Sequence, residues 1–324
     1  MEILVTLDPH APFMEDITSM PSVKGMRFNT ALPLNEPLDQ LLTNLQSKIR
    51  PKDLWVDLKC RQLRIANNPT VPPDLVELNH RIKLKTPAEL LFKELIEDKL
   101  SGAKEEIYRA VKVEEVLGYN FFRGGYKLRL ELPPGLKIKF GQGAAVSIID
   151  PTLKVYDYLT QRDRGFIEAA KKVGIHKYMI SFAEQESDVT DVLSRDPDAE
   201  ILAKIESEKG LEFVDKVYPK YKDKVSLMTA RGDLYVWLDR PHKILNATKK
   251  IINADPNAVA ASRIFESLSR IKPGQDPACA DISDIGYLIE LGYKRFLFGD
   301  EICYRKDRLS AAIGLLETII EDYR

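Results

Sequence analysis

Cysteine is scarce in this chain of 324 residues and odd in number: Cys60, Cys279 and Cys303 are widely scattered, with no CxxC pair. That argues against a disulfide framework and against thiolate zinc sites. Histidine is equally thin. His10, His80, His176 and His242 are dispersed without a metal-ligand spacing and read as packing or surface residues. An excess of charge of either sign is missing too. With 48 Lys+Arg against 49 Asp+Glu the formal net charge is −1, so no global field draws a polyanion and nucleic acid is not the expected partner. No apolar run is long enough to span a bilayer, and "MEILVTLDPHAP" is not a signal peptide. The expectation is a soluble, cytoplasmic chain with no membrane partner.

What is present is a 44% hydrophobic composition, enough to bury a substantial core in one large or two smaller domains. Short β-branched or apolar runs recur at "EILVTL", "GMRFNT", "DLWVDLK", "HKYMISF", "EILAKIE", "KVSLMTARG", "NAVAASRIF" and "YKRFLFGDE", which read as eight strands. Amphipathic stretches such as "DRGFIEAAKKVG", "DVTDVLSRD" and "RPHKILNATKKIINA" separate the later ones. Strand then helix, repeated, predicts a parallel sheet, and eight such units predict an α/β fold of the (β/α)8 TIM-barrel type.

One interval breaks this rhythm, because the third strand near Asp57 and the fourth near Met179 are too far apart for an ordinary βα loop. The insert begins around "NNPTVPPD", contains the amphipathic stretch "PAELLFKELIEDKL", and then alternates in "YKLRLEL" and "LKIKF" between the turn signals "RGGY", "PPG" and "GQG". The expected organisation is a catalytic barrel over residues 1–65 and 158–324, with an inserted, mainly β lid domain over 66–157 after strand three. Chain passages near Ala66 and Asp157 would then act as hinges for closure over the barrel mouth.

Barrels of this type carry their chemistry at the C-terminal ends of the strands. Those ends supply Arg27 and Asn29, then Asp57, Lys59 and Arg64, then Lys204 and Glu206, then Arg231, Gly232 and Asp233. In "ILAKIESEKGL" Lys204 and Glu206 stand two apart in a strand, on one side of it, as an ordinary ion pair or as half of a site. Glu206 and Asp233 are hard oxygen ligands from neighbouring strands, suited to Mg²⁺. The "RGD" tripeptide ends an apolar strand, which disfavours an adhesion reading, and "GQGAA" lacks the context of a dinucleotide fingerprint and reads as a turn.

"GMRFNTA", "VDLKCRQLRIA", "AKIESEKGL" and "TARGDL" occur in an order and in strand contexts that resemble the pyruvate kinase family, and the whole chain is similar to that family's catalytic barrel plus lid domain. The resemblance implies that Lys204 neutralises the transferred phosphoryl group, that Glu206 and Asp233 bind Mg²⁺ or Mn²⁺, and that Arg27 contacts phosphate. It further implies that Arg231 and the amides of Gly232 and Asp233 hold the substrate carboxylate, that Arg64 faces the nucleotide, and that Asn29 and Asp57 belong to a K⁺ site. Several positions depart from the family pattern. Ala31 replaces a serine of the K⁺ site, Leu32 a nucleotide-side histidine, Gln62 the glutamate of Gly-Pro-Glu, and Ala278 the threonine of Pro-Thr-Arg. The chain stops after "LSAAIGLLETIIEDYR", where the family continues into a regulatory domain, so the usual effector control is not expected.

The leading functional expectation is a divergent, pyruvate kinase-like phosphotransferase of glycolysis that moves a phosphoryl group between phosphoenolpyruvate and ADP with Mg²⁺. The alternatives are a Mg²⁺-dependent lyase or other enzyme acting on a 2-oxo acid or its enolate, and a non-catalytic binding protein. Oligomeric state is left open.

Overall fold

The computed structural model describes the chain apart from residues 7, 33, 35, 67–73, 98–103, 121–124, 133–140, 271–275 and 324. It divides into two compact units, Met1–Leu58 with Asp163–Arg324, and Lys59–Arg162. The boundaries read from sequence, at 65/66 and 157/158, both fall inside the second of these.

In the first unit β1 (Glu2–Thr6), β2 (Val23–Asn29) and β3 (Asp53–Leu58) precede the interruption. In the second unit lie β4 (Leu75–Leu78), β5 (Ile82–Lys83), β6 (Ala88–Glu97), β7 (Lys104–Asn120), β8 (Gly125–Glu131), β9 (Val146–Ser147) and β10 (Lys154–Val155). The first unit then resumes with β11 (Lys177–Ile180), β12 (Glu200–Ile205), β13 (Val225–Ala230), β14 (Val259–Ala261) and β15 (Arg295–Leu297). Its strands close into a parallel barrel in the order β1-β15-β14-β13-β12-β11-β3-β2, and all eight coincide with strands expected from the sequence.

Helices α1 (Met14–Thr18), α2 (Leu38–Ile49), α3 (Gln161–Lys172), α4 (Glu186–Arg195) and α5 (Glu208–Lys216) occupy the first connections. After them come α6 (Arg231–Trp237), α7 (Ile244–Ala254), α8 (Cys279–Glu290), α9 (Asp300–Cys303) and α10 (Lys306–Asp322). Each long helix buries one stripe, such as Leu41, Leu42, Leu45 and Ile49 of α2, or Leu309, Ile313 and Leu316 of α10.

The barrel interior is filled by Leu4, Trp55, Met179, Leu202, Met228, Val259, Ala261 and Leu297, from seven of the strands. Side chains alternate along a strand, so the residues two positions beyond Leu4, Trp55 and Leu202 also point inward, one layer nearer the C-terminal mouth. Those residues are Thr6, Asp57 and Lys204. β2 reaches the same layer with Arg27, whose register partner in β1 is Thr6. Apolar packing thus builds the platform that carries the polar layer.

The second unit is an antiparallel five-stranded sheet, ordered β4-β8-β7-β6-β9, with a separate antiparallel ribbon of β5 and β10. Its core gathers Ile65, Val76, Leu90, Phe92, Val113, Leu128, Leu130 and Ile148. β8 shows the expected alternation, with Leu128 and Leu130 buried and Arg129 exposed. "PAELLFKELIEDKL" is not an independent amphipathic segment: Ala88–Glu97 is strand β6, paired with β7 from Ala88↔Val113 to Glu97↔Lys104. Its adjacent leucines suit a helical stripe as well as a strand, and the long partner β7 decides between them. "LKIKF", "PPG", most of "NNPTVPPD" and the first half of "RGGY" lie outside the described residues.

Candidate active site

Side chains from seven of the eight barrel strands, or from the turns that follow them, meet at the C-terminal mouth. Asp57 is fully buried and lies between two cations. Its Oδ2 accepts from Arg27 Nε at 2.8 Å and stands 2.6 Å from Arg27 Nη2, while its Oδ1 is 2.9 Å from Lys204 Nζ. Lys204 is 3.7 Å from Glu206 Oε1, so its shorter ion pair is with Asp57 and not with the carboxylate two residues along its own strand. Burial acts to lower the Lys204 pKa, but Asp57 and then Glu206 overcome it and hold the ammonium charged. Arg27 behaves alike under Asp57 and Asp300.

Glu206 is buried directly beyond the end of β12. Phe182, whose φ of 49° is left-handed, donates its backbone N–H to Glu206 Oε2 at 2.6 Å. A left-handed non-glycine residue at a strand end costs free energy and marks a place where the backbone is held for a purpose. Burial pushes the Glu206 carboxyl up to about 7; Lys204 opposes that shift, and the negative charges of Asp233 and Asp57 reinforce it. A buried carboxylate with a second carboxylate near enough to raise its pKa, both at strand ends and both offering hard oxygens, fits a divalent cation.

Asp233 and Gly232 lie in the first turn of α6, which starts directly after β13. Arg231 turns back: its Nη1 donates to Asp284 Oδ1 at 2.6 Å and its Nη2 to the Ser262 carbonyl at 3.0 Å. A Cβ on Gly232 would stand 3.2 Å from Ser262 Cβ and 3.4 Å from its Oγ, so glycine lets the end of β14 approach the start of α6. Ser262 has a φ of 65°.

Asn29 does not offer its side chain freely. Its Oδ1 accepts from Ala31 N at 3.1 Å and its Nδ2 donates to Asp300 at 3.2 Å. Asp300 also stands 3.4 Å from Arg27 Nη1. With both Asp57 oxygens facing fixed cations, Asn29 and Asp57 do not fit a monovalent cation. Arg64 belongs to the second unit, where it donates through Nε to Gln62 Oε1 at 3.0 Å and through Nη1 to the Gly143 carbonyl at 2.5 Å. Ala278 is exposed, and its N–H bonds to Ser267 Oγ at 2.8 Å.

Sequence reasoning missed Asp300, Asp284 and Ser262. Asp300 was within reach of it, since it closes the eighth strand run "YKRFLFGDE" as Asp57 closes the third. Asp284 carried no local signal, because it sits inside α8 and meets Arg231 only through the fold. One histidine lies among carboxylates. His176 gathers with Asp196 and Asp198, whose possible ligand atoms all lie within 4.8 Å of one another. Asp196 is already satisfied there, accepting from Tyr178 Oη at 2.8 Å and from Asp198 N at 3.2 Å, and lying 2.8 Å from His176 Nδ1. This cluster lies at the N-terminal end of β11, away from the mouth.

Fold and mouth together define a (β/α)8-barrel protein with a buried lysine and paired carboxylates at the C-terminal ends of its strands. A family model for the pyruvate kinase barrel domain matches residues 139–293. Pyruvate kinase of Borreliella burgdorferi is 25% identical over 298 residues, covering 89% of this chain and 61% of that protein. Pyruvate kinase of Thermoplasma acidophilum is 28% identical over 173 residues, 51% of this chain and 30% of that protein. Pyruvate kinase 2 of Saccharomyces cerevisiae is 29% identical over 136 residues, 40% of this chain and 26% of that protein. The resemblance to the pyruvate kinase family holds, and the barrel carries it. The chain spans about three fifths of the length of the Borreliella relative.

Proposed function

We propose that the chain is a divergent pyruvate kinase-like phosphotransferase, moving a phosphoryl group between phosphoenolpyruvate and ADP. The observation that carries this reading is the buried Lys204, held charged between Asp57 and Glu206 beside Arg27. Two cations fixed in a largely desolvated layer stabilise the charge that spreads over a phosphoryl group in transfer, and they need no reorganisation to do so.

In this reading the bond between phosphorus and the C2 oxygen of phosphoenolpyruvate breaks, a bond from phosphorus to a terminal phosphate oxygen of ADP forms, and the resulting enolate takes a proton at C3. Lys204 and Arg27 hold the phosphoryl oxygens, while the amides of Gly232 and Asp233, with Arg231 behind them, orient the carboxylate. Glu206 and Asp233 would hold Mg²⁺ or Mn²⁺, which when bound supplies the charge that polarises the enol oxygen. Ser262, whose Oγ would lie 3.4 Å from a Cβ on Gly232, offers a hydroxyl to the enolate. Ala278 has none. Arg27 and Lys204 already fill the place of a monovalent cation at Asp57, so turnover should be independent of K⁺.

A second reading is a Mg²⁺-dependent lyase of a 2-oxo acid. It is favoured by Arg64, whose guanidinium is engaged by Gln62 and Gly143 and not reserved for a nucleotide. Incubation with phosphoenolpyruvate, ADP and Mg²⁺, followed by ³¹P NMR for the nucleotide and ¹H NMR for the 2-oxo acids, separates the two. ATP and pyruvate are expected in equal amounts, whereas no ATP together with cleavage of a 2-oxo acid from a screened set would overturn the kinase reading in favour of the lyase.

A further inference from the structure

The second unit carries a basic cleft with no role in the reaction proposed above. The segments "HRIKLKT" and "LKVYDY" both alternate, and the antiparallel pairing of β5 with β10 turns the two alternations the same way. Ile82 is buried, and Leu84, Leu153 and Val155 pack against the core of the unit. Arg81, Lys83, Lys154 and Tyr156 remain exposed.

The register sets Lys83 directly opposite Lys154. Like charges so placed destabilise a ribbon unless a counter-charge is supplied. Among the described residues no carboxylate stands within ion-pair distance of Lys83, Lys154 or Arg81; on the neighbouring strands Glu77 pairs with Lys127 and Glu115 with Arg129. The Arg81 guanidinium lies over the Tyr156 ring, 4.5 Å from its centroid. An open cavity of about 400 Å³ is bordered by Arg81, Lys83, Tyr126 and Tyr156 over an apolar floor that includes Ile82 and Val116. Charge within the chain is also uneven. Lys59–Arg162 holds 18 Lys+Arg against 13 Asp+Glu, and the remainder 30 against 36.

We infer that this cleft binds a small phosphate-bearing molecule with a planar, apolar body. Lys83 and Lys154 supply the counter-charge for a dianionic phosphate, which relieves their mutual repulsion, and Arg81 adds a planar donor fork. The tyrosines and the apolar floor give the body of the ligand a surface to stack on, which an inorganic ion would not use. Volume and partners suit a ligand of small-molecule size rather than an extended polymer.

The test uses the full chain and phenyl phosphate as the probe, followed by hydrogen exchange with mass spectrometry. Saturable protection of peptides covering residues 81–85 and 153–157 is expected, with phenol giving none. The double variant Lys83→Gln/Lys154→Gln changes exposed side chains, and a melting curve checks that its fold is kept. It should bind about ten-fold more weakly, as loss of two charge-assisted contacts requires. No protection at the ribbon, undiminished affinity in the double variant, or equal protection by phenol would each overturn the assignment. Protection by heparin but not by phenyl phosphate would overturn it in favour of a polyanion surface. Phosphotransfer by the barrel enters none of these readouts, so the two proposals fail separately.

Discussion

Glu206 experiences opposing influences that make its behaviour measurable. Burial, reinforced by Asp233 and Asp57, pushes its pKa from the usual 4.5 up to about 7 despite Lys204. Folding therefore takes up a proton between those two values. The contribution of Glu206 to the ligand-free protein is fully present below its unfolded pKa and is lost as pH rises through about 7. Glu206→Gln removes that dependence. In the presence of a chelator the variant should gain melting temperature relative to the parent at about pH 8 compared with about pH 5, by a few degrees in calorimetry. A difference that does not change with pH would contradict the burial account. Ser262 and Ala278 give a second contrast at this scale. If the Ser262 hydroxyl delivers the proton, Ser262→Ala should slow deuterium exchange into the methyl group of pyruvate by roughly 10²-fold or more, while Ala278→Thr leaves the rate unchanged. Faster exchange in Ala278→Thr would move that role to position 278.

Two glycines show how elements meet. Gly25 in β2 pairs with Asp53 of β3, and a Cβ there would stand 2.9 Å from the Asp53 carbonyl oxygen and 3.0 Å from Leu4 Cδ2. The backbone of a closed barrel cannot step aside, so Gly25→Ala should cost about 2 kcal/mol or more in urea unfolding. Gly232 meets only the side chain of Ser262, so Gly232→Ala should leave stability within about 1 kcal/mol but raise the KM for phosphoenolpyruvate. Equal effects of the two substitutions on stability would show that the approach of β14 to α6 is as rigid as the β2–β3 pairing.

Across the whole molecule, the barrel was legible because each strand is a compact apolar run bounded by polar residues. The polar layer was legible because Arg27, Asp57, Lys204 and Glu206 end such runs. What the sequence did not reveal is how these groups pair. Two residues apart in one strand, Lys204 and Glu206 look like partners, yet closure of the barrel brings Asp57 of β3 nearer to Lys204 across the interior. Asp300 reaches Arg27 from 273 positions away, a contact made only by closing β15 onto β1. The β6 segment was ambiguous for a related reason, since its leucines suit two periodicities and only its partner strand chooses between them. The account as a whole rests on Glu206 and Asp233 sharing one divalent cation at the mouth, which Mn²⁺ titration followed by electron paramagnetic resonance measures directly. One site is expected in the parent chain, weakened about ten-fold or more in both Glu206→Gln and Asp233→Asn, in line with losing one of two carboxylate ligands. Unchanged Mn²⁺ affinity in both variants would contradict it.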